Sequence, residues 1–199
     1  MRVVMMTENR KRGQHHGNAR EALRQAAAEL LETTGAANLS LRGIAERAGL
    51  SRQAPYNHFA DKEAILADLV VTGFDRLAHE TEAASAALTG EPALAAAGEA
   101  YIAFAQATPA LFRLMFACER IDQHRFPEVA EAGSRSFAVL RVIVATIVGA
   151  EQMEEVSLAA WCLVHGYATL CIETGLEPAE RRSERALQFA RLIASSGAM

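Results

Sequence analysis

The fold is decided by Ser40-Leu-Arg-Gly-Ile-Ala-Glu-Arg-Ala-Gly-Leu-Ser-Arg-Gln-Ala-Pro-Tyr-Asn-His-Phe-Ala-Asp-Lys-Glu-Ala-Ile-Leu66. Ser40 has the side chain of an N-cap, because its hydroxyl can accept a first-turn amide. Leu41, Ile44, Ala45 and Ala48 then recur at helical spacing. Gly49 ends that helix, since only glycine enters the left-handed backbone without strain. Ser51 caps a second short element, expected as a helix over Arg52–Phe59. Asp61 caps a long helix with Glu63 in its first turn, reaching about Leu88. Two short helices joined by Ala48-Gly49-Leu50-Ser51 outline a helix-turn-helix. Neither is stable alone. Leu30, Leu31, Leu41, Ile44, Tyr56, Phe59 and Leu66 are the expected miniature core that supports them.

Outward from this motif the pattern stays helical. On its N-terminal side, Leu23, Ala27, Leu30, Leu31 and Thr34 mark one face of a helix over about 18–34. Asn18 and Glu21 stand in capping-box positions, and Gly35 is a stop. Residues 1–16 lack periodicity and read as a flexible basic tail. On the C-terminal side, helices are expected over Glu91–Gln106, Ala110–Cys118, a segment through Ser134–Val148, Val156–Thr174 and Ala179–Ser195. The β-branched run Val139–Val148 fits a strand or a buried helix by periodicity, and its flanks favour the helix. No alternating strand and no Asn-Gly or Asp-Gly hairpin signal occurs. The expected class is all-α with about nine helices. The expected division is a helix-turn-helix head, 17–63, and a helical body, 64–199.

The chain has 199 residues, 51% hydrophobic and 22% charged, which is a globular composition rather than a disordered one. The longest apolar run considered, Ser136–Gly149, is too short to span a bilayer and carries Arg141. Three cysteines, Cys118, Cys162 and Cys171, form no metal-type cluster and no disulfide framework, so a reduced, cytoplasmic protein without a metal is expected. Net charge is -4, which by itself speaks against a nucleic-acid partner. Its distribution says otherwise. Residues 1–60 hold nine Lys/Arg against five Asp/Glu, a net of +4, which leaves -8 on the remainder. A basic head on an acidic body is the footprint of a polyanion partner.

Within the quoted stretch, Ile44-Ala45, Ala48-Gly49, Ser51, Tyr56-x-His58-Phe59, Lys62-Glu63 and Leu66 resemble, in order, the DNA-binding signature of the TetR family of transcriptional regulators. Farther along, Thr108-Pro-Ala-Leu-Phe-Arg-Leu-Met-Phe116 and Trp161-x-x-x-His165-Gly166 look like a subgroup with a Trp…His-Gly element in its C-terminal domain. The resemblance implies a two-domain, all-helical homodimer whose head binds double-stranded operator DNA and whose body holds a small-molecule effector. It implies phosphate contacts from Tyr56, His58 and Lys62.

The physics of a helix-turn-helix supplies the remaining roles. The second short element enters the major groove and flanking groups grip phosphates. Arg52 can pair with guanine, Gln53 with adenine, and Ala54 can touch a thymine methyl. Arg42 can reach the groove or a phosphate, Ser40 a phosphate, and Asn57 completes the DNA-facing set. Pro55 stands where an aliphatic residue is commonest in the family. It cannot donate the first intrahelical hydrogen bond, so the element is expected to be looser at its start.

In the body, Phe104, Phe112, Met115, Phe116, Trp161 and His165 are the candidate ligand residues, with core packing as the alternative for each. His165 lies four residues after Trp161 on the same helical face. It can orient a polar ligand or simply bond a carbonyl. The last two helices, with Leu158, Leu170, Leu187, Leu192 and Ile193, suit a four-helix dimer interface. No nucleophile elbow, phosphate loop, dinucleotide fingerprint or metalloprotease motif is present, so no enzyme activity and no cofactor are expected. The leading expectation is a ligand-released repressor. The alternative is a protein–protein module that keeps the fold without ligand-controlled operator binding.

Overall fold

The computed structural model describes residues 6–117 and 121–196, with side chains described from 19 onward and up to 195. Eight α-helices follow one another: α1 Met6–Asn38, α2 Leu41–Arg47, α3 Lys62–Ser85, α4 Gly90–Ala107, α5 Pro109–Phe116, α6 Pro127–Val144, α7 Met153–Thr174 and α8 Arg182–Ser196. Short 3-10 turns occupy Pro55–Asn57 and Ala179–Arg181. There is no strand among the described residues. Helical backbone begins at Met6, so it extends through residues that read as a tail and passes the expected start near Asn18. Gly35 breaks the helical dihedrals of α1 where the stop was expected, at φ 77° and ψ 160°. The β-branched run Val139–Val148 is helical as far as Val144 and then turns.

The ninth expected helix is absent, for a covalent reason. Residues 52–54 form a turn and only Pro55–Asn57 coils, as a single 3-10 turn. An α-helix capped by Ser51 would need residue 55 to donate to the Ser51 carbonyl, and proline has no N–H. The Ala54 amide takes that carbonyl instead at 2.9 Å, and Asn57 donates to Ala54 at 3.2 Å, both i to i+3 bonds. Pro55 itself is fully buried.

Two of the caps read from the sequence are formed, whereas Asn18 lies inside α1 and Ser51 caps no helix. Ser40 Oγ accepts the Gly43 amide at 3.1 Å, and Asp61 Oδ1 accepts the Ala64 amide at 2.9 Å. Gly49 carries the turn at φ +67°. Leu31, Leu41, Ile44, Phe59 and Leu66 are buried and Leu30 partly so. Tyr56 is 55% exposed, so it belongs to the surface and not to the miniature core.

The buried cluster of the head runs without a break into the body through Leu69, Val70, Phe74 and Leu77 of α3. The single helix α3 therefore crosses the expected boundary at residue 64. Asp68, on α3, receives Arg24 Nε and Arg20 Nη2, each at 2.6 Å, which fastens α1 to α3. Burial alone would raise the Asp68 carboxyl, but the bonds from Arg24 and Arg20 outweigh it and hold it below its ordinary value. Deeper in the body α3 meets α5 closely. A Cβ on Gly73 would lie 2.8 Å from Met115 Sδ, so glycine is what admits that crossing. On α8, Ala186, Ala190 and Ile193 face inward, while Arg191 and Leu192 are exposed.

Candidate functional site

The head presents its polar residues between two helix starts. Ser40 and Arg42 open α2, Lys62 opens α3, and the turn 52–58 lies between them. Arg42, Arg52, Gln53, Tyr56 and Asn57 are exposed, and Ala54 and His58 are half-buried. The arginines of the head divide into two groups. Arg20 and Arg24 bind Asp68, and Arg47 binds Glu29 at 2.6 Å. Among the described residues, Arg42 and Arg52 have no acidic partner. The described arginines of the head left without an acidic partner are thus two of the positions expected from the sequence to meet DNA. Lys62 is half-buried and donates from Nζ to the Ala37 carbonyl at 2.9 Å, where it satisfies the end of α1.

The body holds a half-open cavity of about 440 Å³, within the size range of small-molecule sites. Phe74, Leu77 and Thr81 of α3 line it, with Leu94, Ala97 and Tyr101 of α4 and Met115 and Phe116 of α5. Gln123, Phe137 and Leu140, then Leu158, Trp161 and Val164 of α7 and Phe189 of α8 complete most of the wall. Met115, Phe116 and Trp161, three of the candidate ligand residues, therefore meet there. Phe104, Phe112 and His165 are not among the lining residues. Phe104 is buried under the Arg76 guanidinium, 4.4 Å from its ring centre, and Phe112 packs edge-on to Tyr101.

His165 stands one layer behind the wall. Its Nδ1 shares a 2.9 Å hydrogen bond with the Tyr101 hydroxyl, and Trp161 Nε1 donates to the same oxygen at 3.3 Å. The imidazole partner is a phenol rather than a carbonyl. Burial lowers the His165 pKa and keeps the ring neutral, and burial raises that of Tyr101. Tyr101 was missed by sequence reading. Its signal was faint: one tyrosine at helical spacing in an Ala-rich stretch.

Family models match both halves. The one described as bacterial regulatory proteins, tetR family, covers residues 23–69, and the one described as tetracyclin repressor-like, C-terminal domain, covers 94–195. The chain belongs to the TetR family.

Solved structures agree with that membership. A protein of unknown function from Rhodococcus sp. RHA1 is 30% identical with a TM-score of 0.78, over 91% of this chain and 96% of that one. A tetR-family regulatory protein from Rhodococcus RHA1 is 18% identical with a TM-score of 0.72, over 88% and 96%. The regulator FadR from Bacillus subtilis, in complex with stearoyl-CoA, is 14% identical with a TM-score of 0.73, over 88% and 97%. No curated protein matches.

In this TetR-family DNA-binding regulator two polar links tie the cavity wall to the head. Glu32, near the end of α1, accepts the Ala110 amide at 3.0 Å and the Leu111 amide at 2.9 Å. Its carboxylate thus caps the N-terminus of α5, where orphan amides and the helix dipole favour an anion. The far end of the same short helix carries Met115 and Phe116. The second link uses the loop before α6, which contributes Gln123 to the cavity. Glu63 accepts the Asp122 amide at 2.8 Å, and Arg125 donates to Glu63 at 3.0 Å and to Asp61 at 2.5 Å. That hydrogen bond from Arg125, with the Ala64 amide, lowers the Asp61 pKa. Neither link was foreseen from the sequence, because each joins residues about sixty or more positions apart.

Proposed function

We propose that this regulator is a homodimeric repressor whose paired heads hold an operator and whose body lets go of it when a small molecule fills the cavity. The observation that carries the reading is the pairing pattern of the head. Arg42 and Arg52 lack acidic partners among the described residues, and Gln53, Tyr56 and Asn57 are exposed beside them. Arg52, Gln53 and Ala54 read bases, and Ser40, Arg42, Tyr56, Asn57, His58 and Lys62 fix the register on phosphates. Residues 17–63 act as the head and 64–199 as the body.

Dimerisation runs through α7 and α8. Leu158 and Leu170 on α7 and Leu192 on α8 are about half exposed or more, an unusual cost for leucine in a monomer. Helix α7 is also long and apolar enough to cross a bilayer by length and composition, at a mean hydropathy of 1.3. A protomer partner accounts for that wet apolar face. Ile193 is buried in the body and supports the interface from behind, and Leu187 is half-buried. Two heads held in this way fit half-sites one or more helical turns apart.

Ligand release needs a difference in affinity between the two head spacings. The Glu32 cap and the Arg125 link are where a shifted cavity wall would pull on α1 and α3. The family and the absence of catalytic motifs support a regulator with no enzymatic step. Selection of bound sequences from random duplex DNA tests the reading. A palindromic site bound with a steep salt dependence supports it, and salt-insensitive or sequence-indifferent binding overturns it. Screening compounds for release then reads the sign of the coupling.

A further inference from the structure

The composition of the cavity wall names a chemical class of ligand, given the ligand-responsive reading above, on which this inference rests. Among the described residues, no Asp, Glu, Lys, Arg or His lines the cavity. Of the charged residues that flank lining positions, four arginines form ion pairs with acids that do not line the cavity. Arg76 pairs with Glu80, Arg135 with Asp75, Arg141 with Glu154 and Arg185 with Glu177. A carboxylate or ammonium buried in this space would lose its hydration and find no counter-charge among the described lining residues.

Among the polar groups of the wall, the Tyr101 hydroxyl is the one held by two other side chains, Trp161 and His165. A phenol can donate once and accept twice. The indole N–H of Trp161 can only donate, so it takes one lone pair. The neutral His165 ring takes either the proton or the second lone pair. In both tautomers one hydrogen-bonding valence of Tyr101 is left, at a residue that lines the cavity and is itself only 8% exposed. Trp161 and His165 also fix the direction of that valence, because they hold the hydroxyl from two sides. A buried hydroxyl with one unmet valence favours a ligand that brings one matching polar group.

We propose that the cavity takes an uncharged, largely apolar small molecule that makes its one directed hydrogen bond to the Tyr101 hydroxyl, with His165 and Trp161 as positioning residues.

The chain has one tryptophan, Trp161, and it lines the cavity, so its emission reports occupancy without reference to DNA. The test titrates the full-length protein at neutral pH with four matched probes: 4-butylphenol, butylbenzene, 4-butylbenzoate and 4-butylbenzylammonium. The phenol is expected to bind, the benzoate and the ammonium at least about tenfold more weakly. Tyr101→Phe is expected to weaken the phenol by about tenfold and to leave butylbenzene unchanged, which also shows that the variant is folded. His165→Gln is expected to weaken the phenol less than Tyr101→Phe does. The proposal is overturned if a charged probe binds as tightly as the phenol, if none of the four changes Trp161 emission, or if Tyr101→Phe weakens phenol and hydrocarbon alike. The functional reading fails separately: the phenol binds with the expected preference, yet saturating amounts leave operator affinity unchanged.

Discussion

Head and body handle polar groups in opposite ways. In the head, paired arginines fasten helices together while Arg42 and Arg52 are left exposed without acidic partners among the described residues. In the body, four arginines flanking the cavity pair with acids outside its lining, and among the described residues the wall is apolar apart from a few hydroxyls, one amide and the Trp161 indole N–H. The head therefore suits a partner that brings its own charge and keeps its water, as DNA does. The body suits a partner that sheds water on entry. One all-helical chain separates the two by leaving charge uncompensated at one end and removing it from the other.

The strongest way to break this contrast is to erase the head's polar surface. Changing Arg42, Gln53, Tyr56 and Lys62 together to Ala should lower operator affinity by at least about a hundredfold, with about one to three kcal/mol from the Gln53 base contact and the rest from three phosphate contacts. Trp161 emission titrations with 4-butylphenol should stay the same. Equal operator binding by this variant, measured by anisotropy on labelled duplex, would refute the DNA reading of the head.

Next in size is the clasp that makes the head rigid. Asp68 is 12% exposed and holds both Arg20 and Arg24. Asp68→Asn should cost about 2 kcal/mol of stability, visible as a lower urea midpoint. Acid should have the same effect. The folded pKa of Asp68 is depressed, so its contribution is complete above the unfolded value of about 3.9. It is lost as pH falls through the lower folded value. A urea midpoint that is flat between neutral pH and pH 3 would contradict this. The smallest effect concerns the join between the regions. Glu32→Gln keeps the size of the α5 cap and removes its charge, which should cost about 0.5–1 kcal/mol. Its larger signature is functional: ligand-induced release should shrink while operator affinity without ligand changes little.

Much of the head was legible because its determinants are local. Ser40, Gly49 and Asp61 act within a few residues of themselves, so cap and turn chemistry reads directly. Pro55 signalled a loosened start, and the structure goes further, with a 3-10 turn in place of a helix. Tyr56 was assigned to the core by its aromaticity, whereas the 3-10 turn leaves it at the surface. The body was legible as helices and less so as a site. Trp161 and His165 share a face by spacing alone, but the phenol that joins them comes from α4, some sixty residues earlier. Phe104 and Phe112 have the same composition signal as Phe116, and only helix packing turns them toward the core. The Glu32 and Arg125 links join distant segments and leave no periodic trace.

Arg125 has a further consequence for how the molecule behaves in different buffers. It bridges the loop beside the cavity to Asp61 and Glu63 at the start of α3, and all three side chains are partly open to water. Ions screen such a contact over a Debye length of about 8 Å at physiological strength and about 3 Å at 1 M. If ligand release runs through this link as proposed, raising salt should weaken both it and the grip of the heads on phosphates. Dose–response curves for an effector should flatten with ionic strength faster than its occupancy of the cavity declines, so an osmotically stressed cell would carry a regulator that still senses but answers more faintly.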